Sequence, residues 1–290
     1  MNNNIFCKSC LSKRVYCYAN LLPKIFGNKE YRVLLCQDCG IGVTVPGPTT
    51  SIEYYVGSDR LEIISSDVRR SIAREVRRMK IQYQEIFGVA PKRILDVGCG
   101  NGLFLLVANE LGFETHGVEP SQAMCKRVIE KGISVSECAI DEYEDYHHHD
   151  LIVLNSVIEH LPDPSKEIQF IAERLGPKTV VCFQQAVFDG FIPRLLKSTW
   201  YGWAPEEHYW HYSMPSFQRF IEKHPLKVLK KTRANLYYQT TPLKSIRHWK
   251  SFLFSNFQKM LSVVASFICQ GDSVTFYVAR KTSVQHFEAS

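Results

Sequence analysis

Three sets of residues in this sequence have the types and spacing for chemistry. The first is a pair of C-x-x-C knuckles, Cys7-Lys8-Ser9-Cys10 and Cys36-Gln37-Asp38-Cys39. Four thiolates on two knuckles can close a tetrahedral zinc site. With no ligand position left open, such a metal holds shape rather than reacting. The second is the stretch from Arg93 to Leu103, in which Ile94, Leu95 and Val97 suit a buried strand and Gly98, Gly100 and Gly102 follow at once. Three glycines remove every Cβ where a ligand would have to touch backbone. A helix-like run to Leu111 comes next, and the open N–H groups at its start can seat an anion or a polar tail. Asp96 stands two residues before the first glycine. Glu119 ends the next short strand, 115–119, where an acid can accept two ribose hydroxyls, as in nucleotide-binding folds. The third set is His160, His208 and His211. A neutral imidazole can take a proton at pH 7, so each is a candidate base. The plainer reading of His160 is a side chain that fixes loop geometry.

The elements that must position these groups follow from the periodicity. The glycine spacing is G-x-G-x-G, whereas a dinucleotide fingerprint needs G-x-G-x-x-G. Strands alternate with helices through 94–97, 115–119, 133–137, 150–155 and 180–183, which is the pattern of a parallel sheet. Ser121 can cap a helix over 122–131, and Gly132 can end it. Tyr31–Leu35 reads as a strand between the cysteine pairs, and Cys17, with no partner at knuckle spacing, reads as core. Before the glycine bend, Val68, Ile72, Val76, Met79, Tyr83 and Ile86 make one apolar stripe of a helix over about 60–87. Arg69, Arg70, Arg74, Arg77, Arg78 and Lys80 lie mostly off that stripe. They read as a solvated face rather than a phosphate grip, because Glu75 and Glu85 interrupt them and no aromatic stacks beside them.

The chain has 290 residues, 45% of them apolar, and a net charge of +6. That is enough for one large domain and a small module, with a real core. The mild charge permits an anionic partner without demanding one. There are 10 cysteines behind a polar start, Met1 to Asn4, so a reducing, cytoplasmic setting is expected, with metal binding preferred over disulfides. No apolar run is long enough for a transmembrane helix.

Leu95-Asp96-Val97-Gly98-Cys99-Gly100-Asn101-Gly102 resembles motif I of class I S-adenosylmethionine (SAM)-dependent methyltransferases. Gly117-Val118-Glu119-Pro120-Ser121 resembles the second-strand motif of that family. The stretch from Asn155 through Glu159-His160-Leu161-Pro162 to Pro164 is similar to its fourth-strand motif, especially in the group that includes the ubiquinone-biosynthesis O-methylation enzymes. The resemblance covers roughly residues 90–225 plus the terminal strand. It implies an α/β fold, a Rossmann-like seven-stranded methyltransferase sheet whose last strand is antiparallel, with a small N-terminal zinc-binding module. It implies SAM as cofactor, held by Asp96, Gly98, Cys99, Gly100, Gly102, Glu119, Ala139 beside the adenine, and Asn155, with structural zinc on Cys7, Cys10, Cys36 and Cys39. The expected division is a zinc-ribbon-like module over 1–45, a linker and amphipathic helix over 46–90, a SAM-binding core over 91–185, an acceptor lid over 186–225, and final strands with a helical insertion over 226–290.

The aromatics of 186–225 suit a lid for a sulfonium and a flat or sugar acceptor, or else a satellite hydrophobic cluster. The expected activity is O-methylation of a small-molecule or glycan-linked acceptor. Sugar C-methyltransferases pair similar cysteines with a large carboxy-terminal domain for which this chain is too short. Asn155-Ser156-Val157-Ile158 stands where an amino-methylating enzyme would carry N-P-P-Y. A nucleic-acid (RNA) methyltransferase, and a non-catalytic scaffold or zinc-ribbon interaction protein, are the competing readings; nucleic acid is not the expected partner. Residues 251–268 have helical apolar spacing that suits packing on the parent domain, or else a peripheral membrane or homodimer contact.

Overall fold

A computed structural model describes residues 6–21, 29–48, 66–234 and 271–284. The insertion at 251–268 and the first turns expected for the 60–87 helix lie outside the described residues. The described parts fall into two compact units. One takes its residues from Met1–Pro48, Gln185–Phe217 and Lys231–Thr275, the other from Thr49–Gln184, Gln218–Lys230 and Phe276–Ser290.

The first unit is built on an antiparallel sheet. Strands β1 (Val15–Leu21), β2 (Tyr31–Cys36) and β3 (Gly42–Val45) lie side by side in chain order. The expected strand between the cysteine pairs is thus β2. Beyond β3 the sheet takes a strand from far along the chain, β9 (Trp210–His211), with Gly42 opposite His211 and Val43 opposite Trp210. The approach at Gly42 is close: a Cβ there would lie 3.1 Å from the Cβ of His211. The N-terminal module and the aromatic segment, separate in the sequence reading, therefore share one sheet. They also share a core, in which Leu21, Tyr31 and Val33 pack with Phe188, Ile192, Trp200 and Trp203. Cys17 is not core: it is exposed on β1, its thiol bonded to Asn20.

The second unit carries the alternating part of the chain. Strands β4 (Arg93–Val97), β5 (Glu114–Val118), β6 (Ser134–Ser136), β7 (Leu151–Asn155) and β8 (Val180–Ala186) pair in parallel. With β10 (Leu226–Ala234) and β11 (Ser273–Arg280) the sheet has seven strands, in the order β10-β11-β8-β7-β4-β5-β6. The order reverses at β4, so the carboxyl ends of β4, β5 and β7 border the crevice where an open α/β sheet takes a ligand. β7 is buried and apolar up to its last residue, Asn155, and β4 carries Ile94, Leu95 and Val97 buried beside Asp96, as strands of a covered parallel sheet do.

Helices α1 (Ser66–Phe87), α2 (Leu103–Glu110), α3 (Gln122–Ile129) and α4 (Pro164–Glu173) cover this sheet, with Val76, Met79 and Tyr83 of α1 and Leu105 and Ala108 of α2 in one core with Ile94, Leu151 and Val180. Ser121 caps α3 through the amide of Met124, and Asp163 caps α4 through that of Lys166. Among the described residues no helix is long and apolar enough to cross a membrane.

Candidate functional site

The bend after β4 is made by three residues in the left-handed region, Gly98 (φ 70°), Gly100 (φ 53°) and Gly102 (φ 73°). Their reasons for lacking a side chain differ. A Cβ on Gly98 would come within 2.9 Å of Val157 Cγ2, so the loop after β7 lies directly on it. A Cβ on Gly102 would meet Val128 of α3 at 3.0 Å. A Cβ on Gly100 would meet nothing within 4 Å. Gly98 and Gly102 therefore make room for the protein's own packing, while Gly100 opens onto free space.

Glu119, just past β5, ties the two strand ends together. Its Oε2 accepts the amide of Gly100 at 2.9 Å and its Oε1 that of Ser121 at 2.9 Å. The carboxylate is buried, yet each oxygen keeps a second lone pair for a ligand hydroxyl. Asp96 is buried under the bend. Burial, with the charge of Glu119 nearby, pushes its carboxyl up to about 8.

The other members of the expected set are placed as follows. Cys99 is buried, its thiol filling the space over Gly117, where a Cβ would lie 2.6 Å from Sγ. The amides of Gly98 and Cys99 both donate to the carbonyl of Val118. The Cys99 side chain thus packs under the bend. The start of α2 is less open than its sequence suggests. The amide of Gly102 donates to Cys99 O, and that of Leu103 to Oδ1 of Asn101. Both amides are therefore engaged within the loop itself. Ala139 is half-buried after β6, its amide bonded to Glu142. Asn155 is the exposed last residue of β7.

His160 sits in a short 3-10 turn two residues past Ile158, half-buried, its amide bonded to Val157 O. His208 and His211 belong to the first unit. His211 is buried, bonded through Nε2 to Thr44 Oγ1 at 2.7 Å and packed edge-on against Trp203. Burial pulls its pKa down to about 3, so it is neutral there. The aromatic segment also differs from its expected form. Trp200, Trp203 and Tyr212 are almost wholly buried and form core, so their faces are not offered to an acceptor. Among these rings Tyr201 is exposed.

Two features at the sheet's carboxyl edge escape sequence reading. Ser156, directly after β7, has φ 53°, a strained value for a non-glycine residue, and its amide donates to Gln184 O. Glu75 of α1, which looks like an interruption of the arginine run, bonds the side chain of Gln184 and pairs with Arg78 at 3.0 Å. Burial raises its carboxyl above the usual range. A polar residue inside an apolar stripe was the available signal.

In the first unit the four cysteines converge. Their sulfurs lie within 4.8 Å of one another, with Cys7–Cys39 and Cys10–Cys36 both at 3.6 Å. Tetrahedral zinc–thiolate bonds of about 2.3 Å require S···S of about 3.8 Å, so the donor set fits zinc. The knuckles match each other: the residue after each second cysteine is left-handed, Leu11 at φ 60° and Gly40 at φ 71°, and each returns its amide to the first cysteine's carbonyl.

The family model described as "Methyltransferase domain" matches residues 65–231, more than half of the chain. The chain belongs to this family. Curated relatives include a ubiquinone biosynthesis O-methyltransferase of Shewanella sp. (strain ANA-3), 29% identical over 106 residues, covering 33% of this chain and 44% of the relative. One of the same name from Yersinia pestis (strain Pestoides F) is 26% identical over 114 residues, covering 37% and 47%. The match thus spans about half the length of these relatives. Among solved structures, the plantazolicin methyltransferase BpumL, in complex with a monoazolic desmethylPZN analog and SAH, superposes with a TM-score of 0.51 at 13% identity, covering 74% of this chain and 85% of that one. That likeness shows the fold. The methyltransferase domain match includes the bend, Glu119 and the loop after β7.

Proposed function

We propose that the chain is a SAM-dependent methyltransferase that methylates an oxygen of a small-molecule acceptor, glycan-linked acceptors included, in the cytoplasm. One observation carries the reading: Gly100 opens onto free space while its amide is held by Glu119, the acid at the adjacent strand end. SAM, when bound, supplies a methyl group already activated by positive sulfur. The chain's own residues do the rest. Glu119 accepts the ribose hydroxyls, Asp96 and the three glycines shape the seat, and Ala139 and Asn155 border the adenine and the bend. His160, past the carboxyl end of β7, takes the acceptor proton on its imidazole. Alignment of donor and acceptor for in-line attack supplies most of the acceleration, and the base adds about 10²–10⁴-fold.

The O-methylating relatives support oxygen as the methylated atom, and ten cysteines with a four-sulfur cluster suited to a metal support a reducing compartment. Zinc on Cys7, Cys10, Cys36 and Cys39 holds the first unit's knuckles in place. The test is mass spectrometry of cell extract incubated with the protein and isotope-labelled SAM. A labelled O-methyl product is expected. Label on carbon or nitrogen would overturn the atom assignment, and no label transfer the activity.

A further inference from the structure

The outer faces of α1 and α2 enclose a groove of about 580 Å³, within the second unit. Arg69, Arg70, Arg74 and Arg77 line it from α1, Glu110 from α2, and Val107 and Leu111 form an apolar floor. Positions 70, 74 and 77 fall on one helix face, about 10 Å from end to end. Two of the four charges are neutralised. Arg69 grips both oxygens of Glu110, at 2.5 and 2.6 Å, and Arg70 pairs with Asp67. Arg74 and Arg77 have no hydrogen-bond or ion-pair partner among the described residues.

We propose that this groove binds a phosphoryl group, the phosphate head of a small organic ester or of a lipid. Two guanidinium forks three residues apart match a phosphate monoester, whose charge at pH 7 is about −1.5 to −2. The apolar floor takes the carbon skeleton next to the phosphate. Like charges stacked along a helix destabilise it, so a run of arginines facing a concavity is a cost that a bound anion removes. The sequence reading as a solvated face missed the concavity, because α2 supplies the other wall. Nucleic acid is disfavoured by the lining, which has no aromatic ring on which a base could stack. The site lies at the carboxyl end of α2, away from Gly102 at its start, and does not rest on the methyl-transfer reading.

The test uses the full chain at about 0.15 M salt, where diffuse surface attraction is screened. Inorganic phosphate is titrated by calorimetry, and co-sedimentation is measured with phosphatidylcholine vesicles carrying phosphatidic acid. Saturable binding of either probe is expected, weakened about tenfold or more in R74Q/R77Q, with S-adenosylhomocysteine affinity unchanged. R74K/R77K, which keeps the charge but loses the forks, is expected to weaken binding several-fold. Phosphate without vesicles would assign a soluble ester, vesicles without phosphate a lipid head. The proposal is overturned if neither probe saturates, or if R74Q/R77Q or R74K/R77K binds like the parent chain.

Discussion

The amide of Gly100 donates to Oε2 of Glu119 across 2.9 Å, joining the bend after β4 to the end of β5. Nineteen residues apart in sequence, the two are made neighbours by parallel pairing of Val97 with Val118. Because the space beyond Gly100 is open, Gly100→Val places its branched side chain where a cofactor would lie, at a left-handed φ. Strain of about 1–2 kcal/mol is expected in the melting temperature. Cofactor affinity should fall by far more than that strain explains. Equal affinity for S-adenosylhomocysteine in the variant would remove Gly100 from the site.

Asp96 gives a pH signature. Its folded-state pKa of about 8 lies above the ordinary carboxylate value, so between about pH 4 and 8 the folded chain holds a proton that the unfolded chain releases. The sign follows: this group's contribution favours folding at low pH and is lost as pH rises toward 8, with a slope of at most about 1.4 kcal/mol per pH unit. Denaturant titrations of the parent chain and Asp96→Asn across that range should converge toward low pH and diverge toward pH 8. Parallel curves would place an unperturbed carboxyl at Asp96.

The two histidines nearest the argument should separate cleanly. His160→Ala is expected to lower kcat about 10²–10⁴-fold with little change in cofactor affinity. His211 should report on stability instead, since its pKa of about 3 keeps it neutral when folded. The unfolded chain protonates it below its ordinary value, so stability is lost as pH falls through about 6 toward 3. Thr44→Val, which strips the partner of Nε2, should cost about 1–3 kcal/mol by denaturant titration. Loss of turnover without loss of stability in Thr44→Val would reverse these roles.

Metal removal is the fourth test. One zinc per chain is expected by elemental analysis, and Cys10→Ser with Cys36→Ser should abolish it. Chelation should lower the melting temperature. A metal-free chain with the parent melting temperature would leave the four thiols as ordinary core.

The parallel sheet was legible because its signals are local: an apolar strand, a glycine bend, an acid at the next strand's end. The cysteine knuckles were legible for the same reason. Legibility failed where distant segments meet. Nothing near Trp210 and His211 says that they pair with Gly42 and Val43, so neither the shared sheet nor the burial of His211 and of the tryptophans is legible there. The arginines of α1 read as solvated because the opposing wall, Val107 to Leu111, lies thirty residues on. The positive φ of Ser156 is set by the turn out of β7, which no residue type there announces.

The seat between the glycine bend and Glu119 is tested most directly by calorimetric titration of S-adenosylhomocysteine into the parent chain and Glu119→Ala. A one-to-one complex with the parent chain, weakened about tenfold or more in the variant, is expected. Equal affinity in the two, or no binding by the parent chain with its zinc in place, would contradict it.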